Sequence, residues 1–175
     1  MLMKTNFKLL IPIVFVLLTT LMACNKYEEG PSFSLLSVNK RITGTWELKE
    51  TLVNDQVMNL NDMLAALGNM DMDTITGFDI DLSQITVNSI KTTFQKDGSG
   101  NFYFAVSVMG FPFSQTQAIT WKFDSEKENV IITIESEDQE FEIIRLTNKE
   151  LWLKRTETID GQVTVTEMRL EKEKD

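Results

Sequence analysis

The sequence predicts an all-β protein: an eight-stranded up-and-down antiparallel barrel with one short helix inserted after the first strand. Three observations predict it. From Ser89 onward, apolar and polar residues alternate in runs of strand length, the period-2 pattern of a half-buried strand. Short turn signals separate the runs, so sequential strands become neighbours. Helical periodicity is confined to one stretch, where Met63, Leu64 and Leu67 form a stripe behind the N-cap candidate Asn61. A sheet of many short-connected strands is expected to close on itself, because closure removes exposed edges.

The 175 residues suit one domain plus extras, and an apolar content of 42% is enough for a sizeable core. The acidic balance, 17 Lys+Arg against 26 Asp+Glu, argues against nucleic acid as a partner, because phosphate binding needs a basic patch. It also argues against polybasic attachment to anionic lipid. The chain has no histidine, which removes the commonest general base and metal ligand and every Ser-His or Cys-His nucleophile. A single cysteine allows no intramolecular disulfide and no Cys-rich zinc site. No nucleophile elbow, phosphate loop or dinucleotide fingerprint is present, so neither an enzyme nor a cofactor is expected.

The elements follow in order. Lys4 and Lys8 precede an apolar run from Leu9 to Ala23, too short for a spanning helix of about 20 residues and suited to the core of a signal peptide. The first strand is expected from Arg41 to Val53, with Ile42, Gly44, Trp46 and Leu48 on one face, and Asn54-Asp55-Gln56 turns it. After the helix, residues 70–86 give no clear pattern. Ile90, Thr92 and Phe94 then point inward, Lys96-Asp97-Gly98-Ser99-Gly100 turns the chain, and Phe102, Phe104, Val106 and Val108 return. Gly110-Phe111-Pro112 is read as a break. Ile119, Trp121 and Phe123 form the next inward row, then Val130, Ile132 and Ile134, then a turn at Glu137-Asp138. Phe141 and Ile143 lead to a turn at Thr147-Asn148-Lys149. Leu151 and Leu153 alternate against Trp152 and Lys154, Asp160-Gly161 is a hairpin signal, and Val163 to Leu170 closes the barrel.

Two resemblances add to this reading. Leu21-Met22-Ala23-Cys24 resembles the lipobox of bacterial lipoproteins, and the chain's only cysteine stands at its required place. The resemblance implies a signal peptide over residues 1–23, cleavage before Cys24, and acyl chains (diacylglyceryl and palmitate-type) on Cys24 that anchor the protein to a membrane. An ordinary secretory signal, or a short anchor with an incidental cysteine, is the bland alternative. Residues 24–38 would be a tether and 39–175 the barrel domain. Asn25-Lys26-Tyr27-Glu28-Glu29 lacks an aspartate after Cys24, and a Lys followed by acids resembles a surface-export signal of some Gram-negative bacteria. The expected location is therefore the outer membrane of the cell envelope, with the periplasmic face and the cell surface both open. The strand carrying Gly44-x-Trp46, together with Phe94 to Gly100, Trp121-Lys122-Phe123 and Leu146 to Leu151, resembles lipocalins and the lipocalin-like domains of bacterial lipoproteins. It implies a calyx that in many relatives binds small apolar molecules, and no family set of ligand contacts carries over.

Trp46, Phe94, Phe102, Phe104, Trp121 and Phe123 share the inward parity of their strands. They line a cavity for a small apolar ligand or fill the barrel and plug its end, the structural role being the one expected of Trp46. Met58, Met63, Met70 and Met72 suit either a gating lid or a permanent cap. Arg145 and Arg155 are placed inward, where a guanidinium could meet a ligand carboxylate, though a one-residue slip would turn either outward. Asp71, Asp73, Asp79 and Asp81 fail the calcium-loop spacing, because Ile75 and Leu82 stand where ligands are needed. Glu135, Glu137, Asp138, Glu140 and Glu142 read as a solvated hairpin. Phe111-Pro112-Phe113 is an exposed apolar contact for an envelope protein if the barrel is filled and serves as an interaction module.

Overall fold

The structure, a computed structural model, describes Tyr27 and residues 36–58, 85–159 and 161–174. Cys24, the helical stretch from Asn61, Met63, Met70, Met72 and the four aspartates from Asp71 to Asp81 lie outside the described residues. A helix α1 (Val38–Ile42) leads into strands β1 (Gly44–Val53), β2 (Gln56–Met58), β3 (Ile85–Phe94), β4 (Ser99–Val108) and β5 (Phe111–Phe123). Then come β6 (Asn129–Ile134), β7 (Glu137–Leu146), β8 (Glu150–Ile159) and β9 (Gln162–Lys172). Every pairing is antiparallel, and β9 returns to β1, so eight strands close an up-and-down barrel. The three-residue β2 hangs on the outer end of β1.

The connections sort the barrel into two ends. The β3–β4, β5–β6 and β7–β8 turns lie at one end with α1, and this end is the base. The β1–β2, β4–β5, β6–β7 and β8–β9 turns lie at the other end, the mouth. At the base Trp46 is fully buried within a cluster of Ile42, Phe94, Val130, Leu146 and Leu151. Gly100 faces Phe94 across the β3–β4 ladder, and a Cβ there would collide with the carbonyl of Thr93 and crowd Ile119. Only glycine lets those strands approach so closely.

The first strand begins later than the alternation suggests. Ser37 caps the Lys40 amide, and Val38–Ile42 coil into a short helix across the base instead of extending. Ile42 is buried as expected, but from a helix. Gly44 takes φ +131°, where a side chain would be strained, and turns the chain into β1. The last carbonyls of α1, which a helix leaves unpaired, are taken by side chains: Trp46 Nε1 donates to Ile42 O at 2.6 Å and Lys172 Nζ to Arg41 O at 2.9 Å. Arg41 reaches across to donate to Leu146 O at 2.6 Å.

Three further expectations shift. Glu135-Ser136, both at positive φ, make the β6–β7 turn, and Glu137-Asp138 already belong to β7. Phe111 and Pro112 open a 13-residue strand, not a break, because Met109-Gly110 supply the turn. Arg145 points outward. A β-bulge between Ile143 and Arg145 inserts one residue into β7 and reverses its parity. Its guanidinium lies 4.9 Å from the centre of the Trp152 ring and pairs with Glu150.

Tyr27 joins this base from far away in sequence. Its hydroxyl donates to Lys127 O at 3.0 Å, and Arg41 lies 5.7 Å from its ring centre. Burial pushes its phenol up to about 12, against the opposing pull of Arg41. The raised value means that Tyr27 contributes stability fully below the ordinary phenol range near pH 10, lost as pH rises through about 12. Ultraviolet titration should therefore show a late phenolate step near pH 12 that Tyr27→Phe removes. Trp46→Ala should cost about 3–5 kcal/mol in urea unfolding, the range for deleting a large buried ring.

Candidate functional site: the barrel interior

The interior is graded from base to mouth. Its lowest layer is packed rings. Phe94 meets Trp121 edge to face at 5.3 Å, and Trp121 meets Phe123 the same way at 5.5 Å. Trp121 Nε1 donates to the carbonyls of Gln95 and Ser99, both at 3.0 Å, which fixes the indole over the β3–β4 turn. Lys172 Nζ sits 5.0 Å from the centre of the Trp46 ring. Trp46, Phe94 and Trp121 form a buried floor, with Phe123 half-buried at its margin.

The next layer is different. Phe102 and Phe104 face Thr92 and Ile90 across the β3–β4 ladder, sharing the inward parity of the floor residues. Both are only half-buried, as are Val87, Ile134 and Met168, although all pack against the core. These inward-pointing apolar side chains are less fully buried than the floor beneath them. The ladder itself opens toward the mouth. β6 pairs only with Thr120–Phe123 of β5, and β7 pairs with β8 only from Lys154 down to Leu151.

A polar set interrupts this wall. Arg155 points inward as expected: it lies 5.7 Å from the centre of the Phe141 ring, pairs with Glu157 at 2.7 Å, and donates to Gln139 Oε1 at 3.2 Å. It bridges β7 and β8 where their main-chain ladder has ended. Glu157 and Gln139 escape a reading based on apolar alternation, because polar residues at inward positions look like outward ones until register is known. The one usable signal was the alternation of β8, which carries the inward row from Leu151 and Leu153 to Arg155 and Glu157. Thr51 is fully buried, and its hydroxyl finds no hydrogen-bond partner among the described residues.

The interior thus brings all of Trp46, Phe94, Phe102, Phe104, Trp121 and Phe123 into one barrel, divided by depth. Trp46, Phe94 and Trp121 make the floor. Phe123 sits at its margin, and Phe102 and Phe104 rise above it. Met58 ends β2 outside this set. Glu135, Glu137, Asp138, Glu140 and Glu142 are exposed. No group of three acidic or cysteine side chains among the described residues is arranged to hold a metal ion.

No protein-family model matches the chain, and no curated protein matches it. Among solved structures it is similar to the bovine lipocalin allergen Bos d 2, with a TM-score of 0.43 and 12% identity over 78% of this chain and 76% of that one. It is also similar to a bovine odorant-binding protein solved with its natural ligand, with a TM-score of 0.42 and 14% identity over 82% and 77% of the two chains. A further odorant-binding protein gives a TM-score of 0.44 and 11% identity over 81% and 78%.

A buried hydroxyl without a partner is a net cost to the fold. Thr51→Val, which keeps the branched shape, should leave the melting temperature unchanged or raise it, by about 1 kcal/mol in stability. A clear loss would mean that the hydroxyl has a partner in solution.

Proposed function

We propose that this chain is a lipid-anchored, non-enzymatic binding protein of the bacterial cell envelope whose barrel takes up one small apolar molecule. The carrying observation is the grading of the interior: a buried ring floor of Trp46, Phe94 and Trp121 beneath a wall of half-buried Phe102, Phe104 and Met168. A site lined mostly by apolar surface with a few placed polar groups suits a small apolar or amphiphilic ligand. Arg155, Gln139 and Glu157 supply those polar groups, and Arg155 is the group to meet a ligand's polar end.

The anchoring half of the proposal rests on the Leu21-Met22-Ala23-Cys24 sequence. No helix among the described residues is long and apolar enough to cross a membrane. Acyl chains on Cys24 would do the anchoring. The seat of Tyr27 in the base supports a short tether, because three extended residues span about 10 Å. On this reading the base faces the bilayer, the mouth faces away, and the residues before Cys24 are removed. The outer membrane is the proposed location.

A second reading, an envelope interaction module, draws on the exposed apolar tip of the β4–β5 hairpin, where Met109, Phe111 and Phe113 are 67%, 68% and 58% exposed.

Native mass spectrometry of the full chain purified in mild detergent should reveal a co-purified small molecule, and a fluorescent fatty-acid probe should bind and be displaced by it. Phe104→Gln should weaken probe binding about tenfold, the scale of one lost apolar contact set. Tyr103→Gln, on the same strand but facing out, should leave binding unchanged. No ligand, no probe binding, or equal effects of the two substitutions would remove the ligand-binding reading. Metabolic labelling with a clickable palmitate analogue should mark the wild type and not Cys24→Ser.

A further inference from the structure

We propose that the free edge of β5, from Pro112 to Thr116, is a docking strand that takes up an extended basic-and-apolar segment of a partner protein. The ladder shows why this edge is open. β4 pairs with β5 along its whole length without a register shift, from Ser99 opposite Thr120 to Val108 opposite Phe111. On its other side β5 is paired only from Thr120 to Phe123. Trp121 N donates to Gly98 O, on the β4 side, so odd-numbered residues of β5 turn their main-chain groups toward β4. Even-numbered ones turn away from it. The N–H and C=O of Ser114 and Thr116, and the C=O of Pro112, therefore face outward with no partner among the described residues.

Free edges are normally blunted with charge, bulges or proline, because unpaired main-chain groups recruit other strands. Here the protection is slight. From Phe111 to Trp121 there is no charged residue, in a chain that is 25% charged, and no bulge. Pro112 falls among the edge-facing positions, where its missing N–H takes nothing from the β4 ladder. Phe111, Pro112, Phe113, Ser114, Gln115 and Thr116 are all exposed.

The surroundings select the partner. Gln117 Nε2 donates to Glu135 Oε1 at 3.0 Å, which sets the β6–β7 turn beside this edge. That turn carries Glu135, Glu137 and Asp138, all exposed. An added strand would have an uncharged, aromatic neighbour in β5 and an acidic neighbour in the turn. A segment alternating apolar residues with Lys or Arg fits both, in the manner of strand addition. A second copy fits less well, since it brings another net charge of −9.

The test uses the full chain in nonionic detergent and a fluorescein-labelled peptide of alternating valine and lysine, followed by anisotropy. The peptide should bind. Methylating alternate peptide nitrogens keeps its charge but removes its ladder donors, and should weaken binding at least about tenfold. Ser114→Pro should weaken it similarly, with melting checked. As a measurement independent of that variant, a peptide ending in cysteine should form a disulfide with Ser114→Cys and not with Lys49→Cys. Undiminished binding of the methylated peptide would overturn strand addition in favour of charge alone, as would equal crosslinking at both positions. A dimer of the peptide-free chain in sedimentation, dissolved by Ser114→Pro, would overturn the partner in favour of a second copy.

Discussion

The whole structure depends on how Trp46 is held. Its ring is buried at the base, its indole nitrogen is spent on the last carbonyl of α1, and Lys172 from the final strand lies over its face while bonding the neighbouring carbonyl. One side chain therefore ties together the helix that crosses the base, the strand that opens the barrel and the strand that closes it. A closed sheet has no free choice of register, because the pairing between β1 and β9 must agree with every pairing between. The Trp46 contacts fix where that circle closes.

Grading follows from the same constraint. Rings concentrated at one end, with glycine at position 100 to let strands meet, produce a dense base. The longer hairpins then run on beyond the point where neighbours can pair with them. The less densely packed upper interior and the free edge thus have a common origin in unequal strand lengths, with the six-residue β6 between the 13-residue β5 and the 10-residue β7.

Much of this was legible in the sequence, for a physical reason. Alternation holds where one face is buried, in β6, the base half of β8 and β3 beyond its bulge at Val87/Ser89, and together with β4 it assigned Ile90, Phe94, Phe104, Ile132 and Leu153 to the inside. It failed where other forces act. The first turn at the base is helical because Ser37 caps it and because the Arg41 carbonyl takes Lys172 from far along the chain, a partner no local window contains. Arg145 was misplaced because a bulge is one extra residue and leaves no mark on composition. Phe111 and Pro112 looked like a break because glycine and proline usually signal one, whereas proline on an open edge is compatible with a strand. The polar interior around Arg155 was half visible: the arginine followed the inward row of its strand, but Gln139 and Glu157 became recognisable only with the register fixed.

Tyr27 has a mechanical implication. Its ring is clasped by Arg41 and its hydroxyl by the turn before β6, both at the base. Tension arriving from the chain before Tyr27 would first load this clasp, then the helix and turn behind it, and only afterwards the strand ladders. The clasp works as a strain relief, so that a pull on the chain before Tyr27 leaves the strand ladders of the barrel undisturbed.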